Sequence, residues 1–344
     1  MKKIALLPVA ALLMLGACSK DDPVVRPVPN DPVATVPSQA DQVTLNAPAQ
    51  SEVKPEGSYY RVSYANGQEI VYAFASTGSR YIATIKKIEG TSADVVVPST
   101  VNYNDLTLTV YSIDLYVNGI SDNVTSLTLP KTAVAMYTST GYEAITPDYI
   151  TAQMERGNNL RKVELEDGFT GYCSINGAIY TADYKTLVSV PRAYPGTFTV
   201  AEATEVINAR ALYYCSQIEV LTIPAGVTEI GDEAVVFNDN LLLINCQPTE
   251  APQATRNAFG TFAHNGVLRV PLGSEDSYKI VKPELVIPQE PVEPAADATD
   301  EEWDAYDEAY EQYQVDMAEY LSANRFFTQH EGWSLFNNIE GVTF

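Results

Sequence analysis

Histidine is almost missing from this chain: among 344 residues there are two, His264 and His330. That scarcity removes the usual source of near-neutral general bases and of zinc ligands. Cysteine is nearly as rare, with four residues and no Cys-x-x-Cys pair of the kind that holds zinc. Positive charge is short as well: 21 lysines and arginines face 44 acidic residues, a net charge of −23. Phosphate backbones and anionic lipid surfaces repel such a chain, which argues against nucleic acid as a partner. No G-x-x-x-x-G-K, G-x-S-x-G, H-E-x-x-H or G-x-G-x-x-G occurs, so the common signatures of phosphate binding, acyl transfer and zinc proteolysis are not there. Asp297-Ala298-Thr299-Asp300-Glu301-Glu302 is acidic enough for calcium but lacks the glycine that the calcium loop needs at its sixth position. These absences predict a protein that is not an enzyme and carries no metal or cofactor.

What is present begins at the N-terminus. Lys2 and Lys3 precede an apolar run over 4–15, too short for the ~20 residues of a spanning helix. No later segment is apolar enough to span either. Leu15-Gly16-Ala17-Cys18 resembles a bacterial lipobox, which implies cleavage before Cys18 and lipidation of its thiol. Ser19-Lys20-Asp21-Asp22 is similar to the surface-export signal of Bacteroidetes-type lipoproteins. The resemblance implies an outer-membrane protein, anchored by lipid and facing the cell exterior. Residues 1–17 are then a signal peptide. Residues 18–57, studded with Pro23, Pro27, Pro29, Pro32, Pro37, Pro48 and Pro55, read as a semi-stiff polyproline tether.

The remaining chain, 58–344, is organised by one phrase: apolar, any residue, apolar, proline. It recurs as Val95-Val96-Val97-Pro98, Leu127-Thr128-Leu129-Pro130, Val188-Ser189-Val190-Pro191, Leu221-Thr222-Ile223-Pro224 and Leu268-Arg269-Val270-Pro271. Apolar-x-apolar puts two side chains on one face of a short strand, and the proline ends it. Copies are best kept at 23-residue spacing: Phe198, Leu221 and Ile244 align, as do Ile207 with Ile230, Ala211 with Ala234, and Tyr214 with Phe237. Leu268 follows one residue out of phase. Self-similarity at this period predicts stacked coils, none of which buries its apolar edge alone. Before the coils, Tyr60-Arg61-Val62-Ser63-Tyr64, Asn66-Gly67 and 69–74 read as a hairpin, with 81–85 as a third strand, forming an N-terminal β cap. Cys215 and Cys246 fall on core positions of the coils; with Cys173 the count is odd, so at least one thiol stays free or pairs between molecules.

The phrase from Leu221 to Ala234 resembles the BspA-like leucine-rich repeat. Ala211-Leu212-Tyr213-Tyr214-Cys215-Ser216-Gln217-Ile218 matches that family's Ala-Phe-x-x-Cys-x-x-Leu stretch, with Leu212 in place of phenylalanine. Residues 174–180 with 185–191 resemble its hairpin insertion, and 270–278 with 332–339 its C-terminal cap. The likeness implies a mainly β leucine-rich-repeat solenoid and a surface role in adhesion or binding. Residues 132–156 break the pattern.

The cap is interrupted by 281–330. Pro283, Pro288, Pro291 and Pro294 make an extended acidic linker, and Thr299-x-x-Glu302 reads as a capping box opening a helix of about 25 residues. Trp303, Tyr306, Tyr310, Tyr313, Met317 and Tyr320 recur at alternating spacings of 3 and 4, one aromatic stripe on an otherwise acidic helix. Such a stripe docks on the protein's own flank, binds a partner, or pairs two copies. The partner-binding reading names Trp303, Tyr306, Tyr310, Tyr313 and Tyr320 as its contact residues. The sequence therefore predicts a lipid-anchored surface protein that binds or adheres to a protein partner. A carbohydrate-binding accessory of a polysaccharide uptake system, using tyrosines as sugar platforms, is the alternative. The oligomeric state is open.

Overall fold

The computed structural model describes residues 39–344 apart from 117, 118, 140 and 261. The lipobox, Cys18 and the first part of the tether lie outside the described residues. The chain begins in an antiparallel meander, β1 (Gln50–Glu56), β2 (Tyr59–Tyr64), β3 (Gln68–Thr77) and β4 (Arg80–Gly90). Period-2 alternation buries Val62 and Tyr64 on β2 and Ile70 and Tyr72 on β3, and the two phenols meet at 3.1 Å.

Strand β1 corrects the expected domain boundary. Residues 50–56, assigned by composition to the tether, pair along β2. Pro55 is compatible because β1 is an edge strand, where a missing N–H breaks no ladder bond. Further upstream, the backbone of Val43 exchanges bonds with Asp167, to the carboxylate at 3.0 Å and from the N–H at 2.9 Å. The Asp41 carboxylate accepts the N–H groups of Asn176 and Gly177. The folded part thus includes Asp41, Val43 and residues 50–56, upstream of the expected boundary at residue 58.

The coils follow. β5 (Asp94–Val96), β6 (Thr100–Tyr103), β7 (Leu106–Ile113), β8 (Ser126–Leu129), β9 (Ala135–Thr138) and β10 (Gly141–Ala144) lead to helix α1 (Pro147–Met154) and β11 (Lys162–Leu165). β5, β8 and β11 form a parallel ladder, while β7 and β9 continue the cap sheet beside β4. Residues 132–156, irregular by pattern, are therefore the hairpin β9–β10 and α1. Thr146 caps α1 and Pro147 opens it.

A three-strand insertion comes next: β12 (Tyr172–Ile175), β13 (Ala178–Thr181) and β14 (Thr186–Ser189). Its strands are apolar on both faces because each face meets a different core. Ile179 and Val188 pack into the N-terminal core, whereas Ala178, Tyr180 and Leu187 pack into the C-terminal one. The Val188–Pro191 copy of the repeated phrase thus lies on this insertion rather than on the main ladder.

Two parallel ladders then run side by side. β15 (Gly196–Thr199), β17 (Ile218–Ile223), β19 (Leu243–Cys246) and β21 (Val267–Pro271) make one. β16 (Val206–Ile207), β18 (Glu229–Ile230) and β20 (Gln253–Ala254) extend β14 in the other. Their registers place Phe198 beside Leu221, Leu221 beside Ile244 and Ile244 beside Leu268. The 23-residue spacing and its single slip before Leu268 are thus hydrogen-bond registers. Each fully buried Leu, Ile or Phe in these rows contributes about 1.5–3 kcal/mol. Asn123, Asn159 and Asn240 each donate a side-chain N–H to a carbonyl of the preceding coil, Ser92, Asp122 and Ser216, at 2.6–3.1 Å. The result is the mainly β leucine-rich-repeat solenoid expected, with its N-terminal cap.

The C-terminal cap uses short helices α2 (Phe262–Asn265) and α3 (Glu275–Tyr278), then returns after helix α4 (Asp300–His330) through a 3-10 turn, Glu331–Leu335, to strand β22 (Ile339–Val342). β22 pairs parallel with β21. Trp333 is fully buried and donates its indole N–H to Pro252 O at 2.6 Å. The turn must carry glycine at Gly332, since a Cβ there would lie 2.5 Å from Thr255 O.

Candidate binding surfaces

Two surfaces stand apart from the packed coils. The first is the arm that interrupts the C-terminal cap. Its helix, α4, has the expected capping box: Thr299 Oγ1 accepts the Glu302 N–H and the Glu302 carboxylate accepts the Thr299 N–H. The Thr299 backbone N–H first, then the Thr299 hydroxyl, both donating to the Glu302 carboxylate, hold that carboxyl below the usual range. At 31 residues the helix is longer than expected and spans ~46 Å. Trp303, Tyr306, Tyr310 and Tyr313 form a continuous row of ring contacts with centroids 5.8–6.1 Å apart, edge-on, stacked and tilted in turn, and Tyr320 lies on the same stripe. All five are half-buried. The solenoid does not cover them; α4 meets it through the C-terminal turns, where Phe327 is the buried residue and β20 and the 3-10 turn are the partners.

The linker is what lies along the stripe. Leu285, Pro288, Pro291 and Pro294 are half-buried while the residues between them are exposed, a period of three. That is the periodicity of polyproline II. Val281 and Pro283 line a cavity with Ala323 and Phe327, and Glu290 and Glu293 lie close enough to Tyr306 to raise its phenol pKa, after desolvation as the main cause. The linker therefore runs antiparallel to the helix. Lengths agree: beyond a tight turn closed by the Leu285 N–H on Pro283 O at 3.0 Å, residues 285–293 span ~25 Å as polyproline II, and Ala323 to Tyr306 spans ~26 Å as α-helix. The arm is a hairpin of one polyproline strand and one α-helix. Residues 283–324 hold 13 acidic side chains and no basic one.

The second surface is the rim formed by the loops that precede successive ladder strands. Asp122, Asn158, Asn159, Arg161, Arg192 and Gln217 line a cavity of about 500 Å³. Arg192 is fixed there: its guanidinium donates to Asn158 Oδ1 at 3.0 Å, lies 3.7 Å from Glu155, and sits 5.3 Å over the Tyr214 ring. Tyr214 stacks on Phe237 at 4.5 Å with ring planes 18° apart, and Tyr213 meets both edge-on. Arg210 lies over Tyr213 at 3.5 Å and binds the Glu155 carboxylate with two bonds of 2.9 Å, which raise its already high pKa. It also donates to Glu233 at 2.7 Å.

Sequence pattern missed this surface. Tyr214 and Phe237 align as an apolar pair, which reads as core, yet they are 44% and 47% exposed. Both sit in the left-handed region, φ 60° and 58°, and so does Gly260, at φ 53°, one repeat further on. Gly260 was the available signal: it marks a position where the turn wants φ > 0, and an aromatic residue there costs roughly 1–3 kcal/mol of backbone strain.

Cys173, Cys215 and Cys246 are all unpaired, and Cys215 and Cys246 are buried as expected. Among the described residues no group of three or more His, Cys, Asp or Glu side chains is placed to hold a metal, and no helix is long and apolar enough to cross a membrane.

No protein-family model and no curated protein matches the chain. Solved structures similar to it include a leucine-rich repeat protein from Eubacterium ventriosum, 19% identical with a TM-score of 0.31, covering 47% of this chain and 45% of that one. A leucine rich cell surface protein from Faecalibacterium prausnitzii is 17% identical with a TM-score of 0.30, covering 64% and 55%. A leucine-rich repeat protein from Bacteroides ovatus is 14% identical with a TM-score of 0.27, covering 60% and 55%. The chain spans about half the length of these three proteins.

Proposed function

We propose that this chain is a non-catalytic binding protein of the cell surface, held by a lipid on Cys18 and engaging a protein partner through its acidic arm. The observation that supports this reading is the arm itself. A row of aromatic rings in contact is held half-exposed on a helix that the solenoid grips at one end only. Tyrosine and tryptophan supply large contact area at low entropic cost and recur at interface hot spots. The unbroken negative charge of 283–324 selects a partner face rich in lysine and arginine and disfavours self-association of two arms. Trp303, Tyr306, Tyr310, Tyr313 and Tyr320 are the proposed contacts, with the prolines of the linker completing the surface.

The test is an array of immobilised matrix and serum proteins, probed with the soluble domain and with an arm-excised form that joins Pro283 to Ser322. The expected result is binding that weakens as salt rises from about 0.1 M to about 1 M, where the screening length falls from about 10 Å to about 3 Å, and that disappears on excision. Binding that survives excision overturns the assignment to the arm. A saccharide ligand is a second reading, favoured by the rim cavity rather than the arm.

A further inference from the structure

We propose that the rim cavity and the aromatic column beside it form a binding site for a neutral saccharide. The site lies on different coils from the arm, so it stands or falls independently of the arm's role. Four consecutive loops build it, each entering a ladder strand: the one before β8 gives Asp122, that before β11 gives Asn158, Asn159 and Arg161, that before β15 gives Arg192, and that before β17 gives Gln217. A cavity of about 500 Å³ is within the range of small-ligand sites. Its lining, however, is amides, guanidinium groups and a carboxylate rather than the apolar walls of a typical small-molecule pocket. Such a mixture of donors and acceptors matches a ligand made of hydroxyl groups, each of which donates once and accepts.

Charge fixes the ligand as uncharged. The charged groups that line the cavity are Arg161, Arg192 and Asp122, and Glu155, 3.7 Å from Arg192, offsets the second arginine; Arg210, beyond the lining, is itself paired with Glu155 and Glu233. The balance is zero within a chain of net charge −23. A phosphate, sulfate or carboxylate finds no surplus of positive charge there. Arg161 is the one of the three arginines that makes no ion pair with any described residue, so its five donors remain for hydroxyl acceptors.

The column supplies the other half of sugar recognition. Aromatic faces carry negative charge and attract the weakly positive C–H groups on one side of a pyranose ring. Arg192 joins the halves, since it lines the cavity and lies over the Tyr214 ring; with Phe237 stacked on that same ring, the face left for a sugar is that of Phe237, which is 47% exposed. Holding two large rings exposed in left-handed backbone, where the next repeat has Gly260, is a cost that coil packing does not require. A saccharide bound across cavity and column would use both.

Native electrophoresis through gels containing dextran, mannan, or a soluble β-glucan tests this, with polygalacturonate and heparin as acidic probes. Two variants accompany the wild-type domain: Tyr214→Gly with Phe237→Gly, which relieves left-handed strain while removing the rings, and the exposed Arg161→Ala. The expected result is retardation by at least one neutral polymer, with affinity lowered roughly tenfold in each variant and unchanged in the arm-excised form. Retardation by none of the neutral polymers, retardation by the acidic ones alone, or retardation equal in wild type and Arg161→Ala overturns the proposal. If the double glycine variant fails to melt cooperatively, the Arg161→Ala result decides.

Discussion

At the scale of single residues, the chemistry of the three described cysteines follows from where the repeat puts them. Burial pushes the Cys215 thiol well up, raises Cys246 to about 12, and lifts Cys173, with help from Asp41 and Asp183, to about 11. Thiolate is the reactive form, so at pH 8 all three are nearly inert. Labelling the folded domain with a thiol reagent at that pH should modify Cys215 and Cys246 no faster than global unfolding, with Cys173 slow but ahead of them; all three should react at once in denaturant. Fast modification of Cys246 would contradict its placement behind Tyr278, whose hydroxyl is 3.4 Å from the sulfur. The core assignment of Cys246 was legible because the 23-residue register aligns it with Val200 and Ile223; that of Cys215 came from its place between Ala211 and Ile218 in the repeat, since the register sets the polar Asn238 opposite it. The exposure of Tyr214 and Phe237 was not, because an aromatic in a periodic apolar row looks the same whether its backbone is right- or left-handed. Docking of Asp41 onto the turn at Asn176 and Gly177 spans 135 residues and leaves no local pattern.

At the scale of elements, the arm is a unit whose parts support one another. The capping box, three acids in the first turn and His330 in the last suit the helix dipole. The polyproline strand covers one side of the stripe. The helix was legible from alternating 3 and 4 spacing, and its start from Thr299 and Glu302. Its partner was not: prolines announce an extended segment but not what it lies against, and only the burial period of three reveals that. Because Pro283 and Ser322 line one cavity, excising 284–321 joins neighbouring ends. The excised domain should keep a melting temperature within about 3 °C of the parent, the shift that about 1 kcal/mol produces. A drop several times larger in differential scanning calorimetry would mean that the stripe stabilises the solenoid.

At the scale of the whole molecule, the solenoid has two cores separated by one shared wall. Repeat arrays commonly unfold piecewise, since each coil touches only its neighbours. Here strand β13 faces both cores, with Ile179 on one side and Ala178 and Tyr180 on the other, which ties the halves into one transition. With Trp303→Phe leaving Trp333 as the lone indole, fluorescence from the last coil and far-UV circular dichroism of the whole should give coincident unfolding curves. Tyr180→Ala, which empties a fully buried site and removes the acceptor of the Ala201 N–H, should cost about 3–5 kcal/mol and shift both curves together. The repeat period made the solenoid legible; the wall was not, because strands apolar on both faces read as any buried strand. All binding roles proposed for the arm and the rim require that this body stand outside the cell on its tether. Protease added to intact cells measures that directly, and the exposed linker over 281–299 is its first cutting site. The account predicts cleavage at the linker on intact cells, to the same extent as after lysis; a chain that survives uncut until the cells are broken would contradict it.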